Sequence, residues 1–181
     1  MCSVFSVAIF HLLDIICAMT EIYSLDTADF RLIDILQEDG RITNQALAQR
    51  CGMSPAACHE RVRRLRERGV IRGTVALIDP KALDCALLIF VEVVLDRTTD
   101  DAFRAFADHV RAIPEILECH MVAGGFDYLI KARVSDMAAY RAFLGNILAS
   151  VPGVRETRTY AVLEQVKATT RLPMRSLAGT S

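Results

Sequence analysis

The sequence predicts an α+β protein in two parts: an N-terminal winged helix-turn-helix followed by a ferredoxin-like βαββαβ domain. Two observations carry that prediction. The stretch Thr43 to Gly69, TNQALAQRCGMSPAACHERVRRLRERG, reads as two short helices around a tight turn, the second bearing a row of arginines. From Ala86 onward, apolar runs of strand length alternate with helix-period segments in the order strand, helix, strand, strand, helix, strand.

The bulk properties fit such a chain. At 181 residues it has room for one sizeable domain or two small ones, and 52% hydrophobic with 24% charged residues is a globular composition. The net charge of −1 is unevenly spread. Between His59 and Arg72 there are six arginines (Arg61, Arg63, Arg64, Arg66, Arg68, Arg72) against two glutamates (Glu60, Glu67), whereas acids slightly outnumber bases from Leu87 to Ala168. A polyanion partner should therefore meet the N-terminal third. The six cysteines include no C-x-x-C pair and several fall in apolar stripes, as expected of buried free thiols in a reducing cytoplasm. Cys119 and His120 are adjacent and would point to opposite faces of a strand, so no metal site is expected.

Taken in order, Met1 to Ala18 is apolar but lacks the basic start of a secretory signal, and His11 and Asp14 interrupt it as a membrane span. Residues 1–18 are read as an upstream extension or disordered leader, with Met19 as the start; a helix packed on the domain or a membrane-surface segment are the alternatives. Asp26 to Asp39 predicts a helix, with Leu25, Ala28, Leu32 and Leu36 on one stripe and Asp26 and Asp29 at its positive end. In the next helix Leu47, Ala48 and Cys51 share a face, and Gly52 follows where a left-handed residue is wanted. Ser54 and Pro55 suit the cap and first position of the second helix. Cys58, Val62 and Leu65 form its apolar stripe, and Gly69 stops it. A basic second helix of this kind would enter the major groove of double-stranded DNA; the alternative is a helical hairpin with a solvated charged face. Ile71 to Asp79 reads as a strand or short hairpin, a wing. The helix-turn-helix domain then spans 25–79 and a linker 80–85.

The second domain, 86–168, begins with the apolar strand Ala86 to Leu95. A helix from Asp100 to Ile113 carries Phe103, Phe106, Ala107 and Val110 on one face and stops at Pro114. Strands are predicted over Ile116 to Ala123 and Phe126 to Val134, around a Gly124-Gly125 turn. Ser135 would cap a helix carrying Met137, Tyr140, Phe143, Leu144, Ile147 and Leu148, ended by Pro152-Gly153. Val154 to Val166 is the last strand, and 169–181 a C-terminal tail.

The sequence carries no G-x-S-x-G, P-loop or H-E-x-x-H, and its four histidines are scattered, so no enzyme is expected. Gly124 to Tyr128, GGFDY, remains. Glycines admit close backbone approach, and Asp127 and Tyr128 supply an acceptor and a hydroxyl, as a small cationic or zwitterionic ligand would require. From the pattern alone, a hairpin turn whose Asp bonds its own backbone is the favoured reading, because such turns are common.

From about Leu25 to Leu172 the chain resembles the Lrp/AsnC family of transcriptional regulators. The resemblance rests on DGRITNQALAQRCGMSP, HERVRRLRERGVIRG, LLIFVEVVL, ECHMVAGGFDYLIKARVSDMAAYR and SVPGVRETRTYAVLEQVK. It implies a homodimer, with sheets packed face to face, that assembles to an octamer or similar ring around which DNA wraps. It also implies an amino-acid effector, leucine-like, that binds between dimers; no other cofactor, no metal and no membrane are implied. The family's helix-turn-helix motif falls on about 44–63, which implies DNA contacts from Asn44, Gln45, Ser54, Ala56, Ala57, His59, Glu60, Arg61, Arg63 and Arg64. The effector positions fall on Met121, Gly124, Gly125, Phe126, Asp127, Tyr128, Met137, Tyr160, Ala161 and Val162. Asp127 would take the ammonium and backbone N–H groups near the glycines the carboxylate. Met121, Met137 and Val162 would wall the side chain, or simply pack in a core or interface. The chain departs from a close family member at Met121, Gly125 and Ala161 (Leu, an acidic residue and Val there) and at Ala56, Ala57 and His59 (Thr, Pro and Leu there). These departures fall at expected effector and DNA-contact positions. A ligand-independent architectural protein that wraps DNA is the alternative function.

Overall fold

The computed structural model describes residues 24–151 and 153–174. The expectation for residues 1–18 lies outside them. The described residues fall into two units: 24–75 together with 169–174, and the stretch 76–168.

Among the described residues the first unit has three helices, α1 (Thr27–Glu38), α2 (Asn44–Cys51) and α3 (Pro55–Glu67). Each start is fixed by a side chain that satisfies an otherwise orphaned backbone N–H. Asp26 accepts from Asp29 N at 2.8 Å, and Asp29 returns the contact to Asp26 N, a reciprocal cap. Thr43 accepts from Ala46 N and Ser54 from Ala57 N, both at 3.2 Å. Gly52 ends α2 with φ +68°, a left-handed conformation that costs glycine nothing. The predicted stripes meet: Leu32 of α1 packs with Leu47, Ala48 and Cys51 of α2 and with Cys58 and Val62 of α3.

The expected wing strand does not form. Among the described residues, 71–79 make no ladder, and Val75 and Leu77 are 80% and 77% exposed. Its β-branched residues carry the right composition, but strand preference reflects packing on a pleated, half-buried surface, which this segment lacks within its own chain. A single turn of 3-10 helix, Pro80–Leu83, follows.

The second unit runs β1 (Leu87–Leu95), α4 (Asp100–Arg111), β2 (Ile116–Met121), β3 (Tyr128–Val134), α5 (Met137–Ser150) and β4 (Val154–Ala161). The sheet order is β2-β3-β1-β4 with antiparallel neighbours, the ferredoxin-like arrangement. Alternation along β1 and β3 sends Ile89, Val91, Val93, Tyr128, Ile130 and Ala132 to one face, against Phe106 and Val110 of α4 and Phe143 of α5. Phe106 is fully buried and stacks on Tyr128 with centroids 4.2 Å apart. The other face carries Leu88, Phe90, Val94 and Leu129 among charged residues, so β1 is apolar on both sides.

Two details differ from expectation. Asp136, not Ser135, caps α5, accepting from Ala138 N and Ala139 N at 2.7 and 2.8 Å, contacts that hold its carboxyl below the usual range. The last strand stops at Ala161, opposite Ile89, rather than at Val166: one more backbone bond joins Val162 N to Leu88 O, and Leu163 and Val166 beyond it lie in solvent.

Candidate nucleic-acid and effector faces

α3 presents two stripes. Cys58, Val62 and Leu65 are buried, while Ala56, His59, Glu60 and Arg63, three or four residues apart, lie exposed with Ala57 beside them. That exposed stripe starts at the N-terminal end of the helix, the end that reads bases when such a helix enters the major groove. Gln45 is exposed on α2. Asn44 and Ser54 are used internally: Asn44 Nδ2 donates to Pro55 O at 2.8 Å, fixing the angle between the two helices, and Ser54 is the α3 cap.

The arginines divide by role, which their spacing alone could not reveal. Arg61, expected on the DNA face, turns to α1 and donates to Asp26 Oδ2 at 2.7 Å and Asp29 Oδ1 at 2.8 Å. Its side chain is 28% exposed and that of Asp29 12%. The backbone N–H of Asp29 and then the Arg61 guanidinium hold the Asp26 carboxyl below its ordinary value. Arg63 stays on the outer stripe, paired with Glu60 at 2.6 Å and with Glu67. Arg64 is exposed at the rim of a cleft of about 290 Å³ that Ser24, Asp26, Asp29 and Arg61 also line. The sequence did signal Asp26 and Asp29, but as helix-dipole charges rather than as the anchor of Arg61.

In the second unit, Gly124 and Gly125 are exposed and Phe126 half-buried in the β2–β3 turn. Asp127 does not merely bond its own turn. Its Oδ2 accepts from Leu95 N at 2.7 Å, its N–H donates to Val93 O at 2.9 Å, and its C=O accepts from Val122 N at 3.0 Å. The residue stitches the turn to the far end of β1. Among the described residues no partner bonds its Oδ1.

Tyr128 is a correction. It is 4% exposed, stacked on Phe106, with its hydroxyl donating to Phe103 O at 3.4 Å. Strand alternation turns it away from Asp127 into the core, and burial raises its pKa. Met121 and Met137 are 56% and 55% exposed, so neither fills the core of this chain.

The remaining positions fall elsewhere. Tyr160 lies opposite Phe90 and Ala161 opposite Ile89, and Val162 N donates to Leu88 O at 3.0 Å. The Tyr160 hydroxyl donates to Glu92 Oε1 at 3.1 Å, a contact that raises its pKa. Met137 opens α5, just past Val134, which pairs with Leu87. Met121 and the turn therefore sit at the Val93–Leu95 end of β1, while Met137 and Tyr160 to Val162 sit at its Leu87–Phe90 end. At about 3.3 Å per residue, the two groups are roughly 10–26 Å apart along the strand. One chain does not bring the ten expected positions together.

Among the described residues no group of three or more His, Cys, Asp or Glu could hold a metal ion, and no helix is long and apolar enough to cross a membrane.

Comparison with known proteins bears on both faces. Residues 25–72 match the family described as winged helix-turn-helix DNA-binding, and residues 88–172 the family described as Lrp/AsnC ligand binding domain. The chain is 50% identical over 152 residues to the leucine-responsive regulatory protein of Klebsiella pneumoniae, covering 84% of this chain and 93% of that one. A transcriptional regulator of Neisseria meningitidis, solved in complex with L-Met, superposes with a TM-score of 0.78 at 37% identity, over 83% of this chain and 97% of that one. An AsnC family transcriptional regulator from Agrobacterium tumefaciens superposes with a TM-score of 0.79 at 34% identity, over 82% and 97%.

Proposed function

The chain belongs to the Lrp/AsnC family of DNA-binding transcriptional regulators, and from that premise we propose that its assembly and its hold on double-stranded DNA respond to an apolar amino acid of the leucine class. The matched relatives are regulators rather than enzymes. In this reading α3 enters the major groove with Ala56, Ala57, His59, Glu60 and Arg63 toward the bases. Gln45 and Arg64 meet the backbone beside them. Arg61, Asn44 and Ser54 position that helix instead of touching DNA.

The observation that carries the effector reading is the division of the expected pocket between the two ends of β1. A site that needs both groups is completed by a second chain. The turn of one subunit would supply Asp127 for the ammonium and the backbone of Gly124 to Phe126 for the carboxylate. Met137 and Tyr160 to Val162 of its neighbour would close around the side chain, with Met121 as part of the wall. Exposed thioethers suit this, because methionine adapts to an apolar side chain without a fixed shape. The relative solved with L-Met supports an amino acid as the ligand class. Homodimers would form through the sheet face of Leu88, Phe90, Val94 and Leu129, and join into an octamer or similar ring. An amino acid bound between dimers then shifts DNA binding through its different affinity for two assembly states.

A thermal-shift screen of the full chain over the twenty amino acids tests the ligand, since a specific one stabilises in proportion to occupancy. A DNA mobility-shift titration with the hits tests the coupling. Stabilisation by leucine or methionine with altered DNA affinity is expected. Strong DNA wrapping that no amino acid alters would instead identify a ligand-independent architectural protein.

A further inference from the structure

The residues after the sheet do not stay with it: 169–174 join the helical unit. They are held there by one face of α1. Asp34, Gln37 and Glu38, three and four residues apart, share that face. Arg171 donates to Asp34 Oδ1 at 2.6 Å and lies 3.2 Å from Glu38 Oε1. The second oxygen of Glu38 accepts from Arg50 of α2 at 3.2 Å. Leu172 is gripped through its main chain. Its N–H donates to Gln37 Oε1 at 2.7 Å, and its C=O accepts from Gln37 Nε2 at 3.3 Å. The Gln37 amide thus takes the place of a neighbouring strand. Arg171 N donates to Thr169 Oγ1 at 3.1 Å, which fixes the local bend.

We infer that residues 169–172 are a strap that latches onto the Asp34–Gln37–Glu38 face of α1, so that the sheet domain is tied to the helix-turn-helix at both of its own ends. The first tie is the covalent passage at 75–76, and the second is this docked segment. The strap is built to open. The Leu172 side chain is 70% exposed and does not anchor it, and the bonds of Arg171 and Leu172 to α1 are polar ones at the surface, where salt screens the ion pairs. It also closes on a sensitive element: one turn earlier, Asp29 of the same helix grips Arg61 of α3. A change in the sheet domain that pulls residue 168 away has a direct line to the helix that orients the recognition helix.

The test uses the full chain, with amide hydrogen exchange at 169–174 and DNA titration with and without L-leucine or L-methionine. The second arm rests on the amino-acid response proposed above; the first does not. In the unaltered chain the Leu172 amide should exchange roughly threefold or more slower than in Arg171→Glu, and Arg171→Glu combined with Asp34→Arg should restore the slow rate. The single variant should shift the ligand-induced change in DNA affinity by roughly threefold, and the double variant should restore it. Equal exchange in the unaltered chain and Arg171→Glu overturns the strap. A released strap with an unaltered amino-acid effect on DNA overturns its role in coupling. An unaltered chain that responds to no amino acid sinks the effector reading, while the exchange comparison still decides the strap.

Discussion

Arg61 on the recognition helix lies 2.8 Å from Asp29, a residue three positions into the cap of the first helix. The pair joins α3, proposed above to enter the major groove, to the helix that supports it. Asp29 is nearly buried, so removing its partner strands a carboxylate. Arg61→Ala should destabilise the helical unit by roughly 1–2 kcal/mol, below the cost of breaking a fully buried pair because Arg61 is partly solvated. Thermal unfolding should drop by about 4–8 °C for each kcal/mol in a unit this small. An unmoved midpoint would remove the anchoring role.

The same cluster should add to the loss of stability in acid. The Asp26 carboxyl is held below its ordinary 3.8 by the Asp29 N–H and by Arg61. A depressed native value stabilises the fold above the unfolded pKa, and that contribution is lost as pH falls through the native one. Asp26→Asn keeps a cap oxygen but has no carboxyl to titrate, so urea midpoints followed below about pH 4 should fall less steeply than in the unaltered chain. Parallel curves would show that Asp26 does not govern the acid limb.

Arg63 is the counterpart of Arg61, on the outer stripe and held by Glu60 and Glu67. If α3 reads DNA as proposed, Arg63→Ala should weaken operator binding about tenfold and lower the slope of log K against log salt by about one. Fluorescence anisotropy at several salt concentrations reads both. A variant with unchanged affinity and slope would take Arg63 out of the interface.

For Asp127 the two halves of its role separate by substitution. Asp127→Ala removes the acceptor for Leu95 N and should destabilise the sheet domain by about 1–3 kcal/mol. Asp127→Asn retains an oxygen for that bond but no charge for an ammonium. It should fold like the parent and bind leucine far more weakly by isothermal titration. Undiminished binding in Asp127→Asn would place the ammonium elsewhere.

Mixing separates a shared site from one built within a chain. Asp127→Asn and Tyr160→Ala chains should each respond poorly to leucine. Unfolded and refolded together, they should form some sites with both halves intact and recover part of the response. No recovery in the mixture would argue that each chain carries its own pocket.

The helices of the first unit were legible because caps and stripes are local. Asp26, Thr43, Ser54 and Gly52 announce themselves within four residues of what they bond. The order of the sheet domain was legible from alternation for the same reason. Illegible were the features set by distant partners. Nothing in the pattern HERVRRLRERG says that Arg61 faces α1 while Arg63 faces outward; that depends on the packing angle of two helices. Tyr128 looked available beside the glycines, yet a period of two turns it inward onto Phe106. The segment 71–79 shows the converse, with strand composition and no strand to pair with. The docking of Leu172 on Gln37 spans 135 positions and leaves no periodic trace.

The placing of Asp127 at the Val93–Leu95 end of β1 and of Tyr160 opposite Phe90 has a consequence for how such a regulator would keep count. If two chains must meet before a leucine is fully enclosed, ligand sensitivity is not a fixed property of the polypeptide. It rises as the protein accumulates, because the ligand and the neighbouring subunit promote each other's binding. The half-saturating leucine concentration should then fall across a dilution series as total protein rises, and a constant value would contradict the shared pocket. A cell that changed only the abundance of this chain would retune its reading of the amino-acid supply without altering a residue.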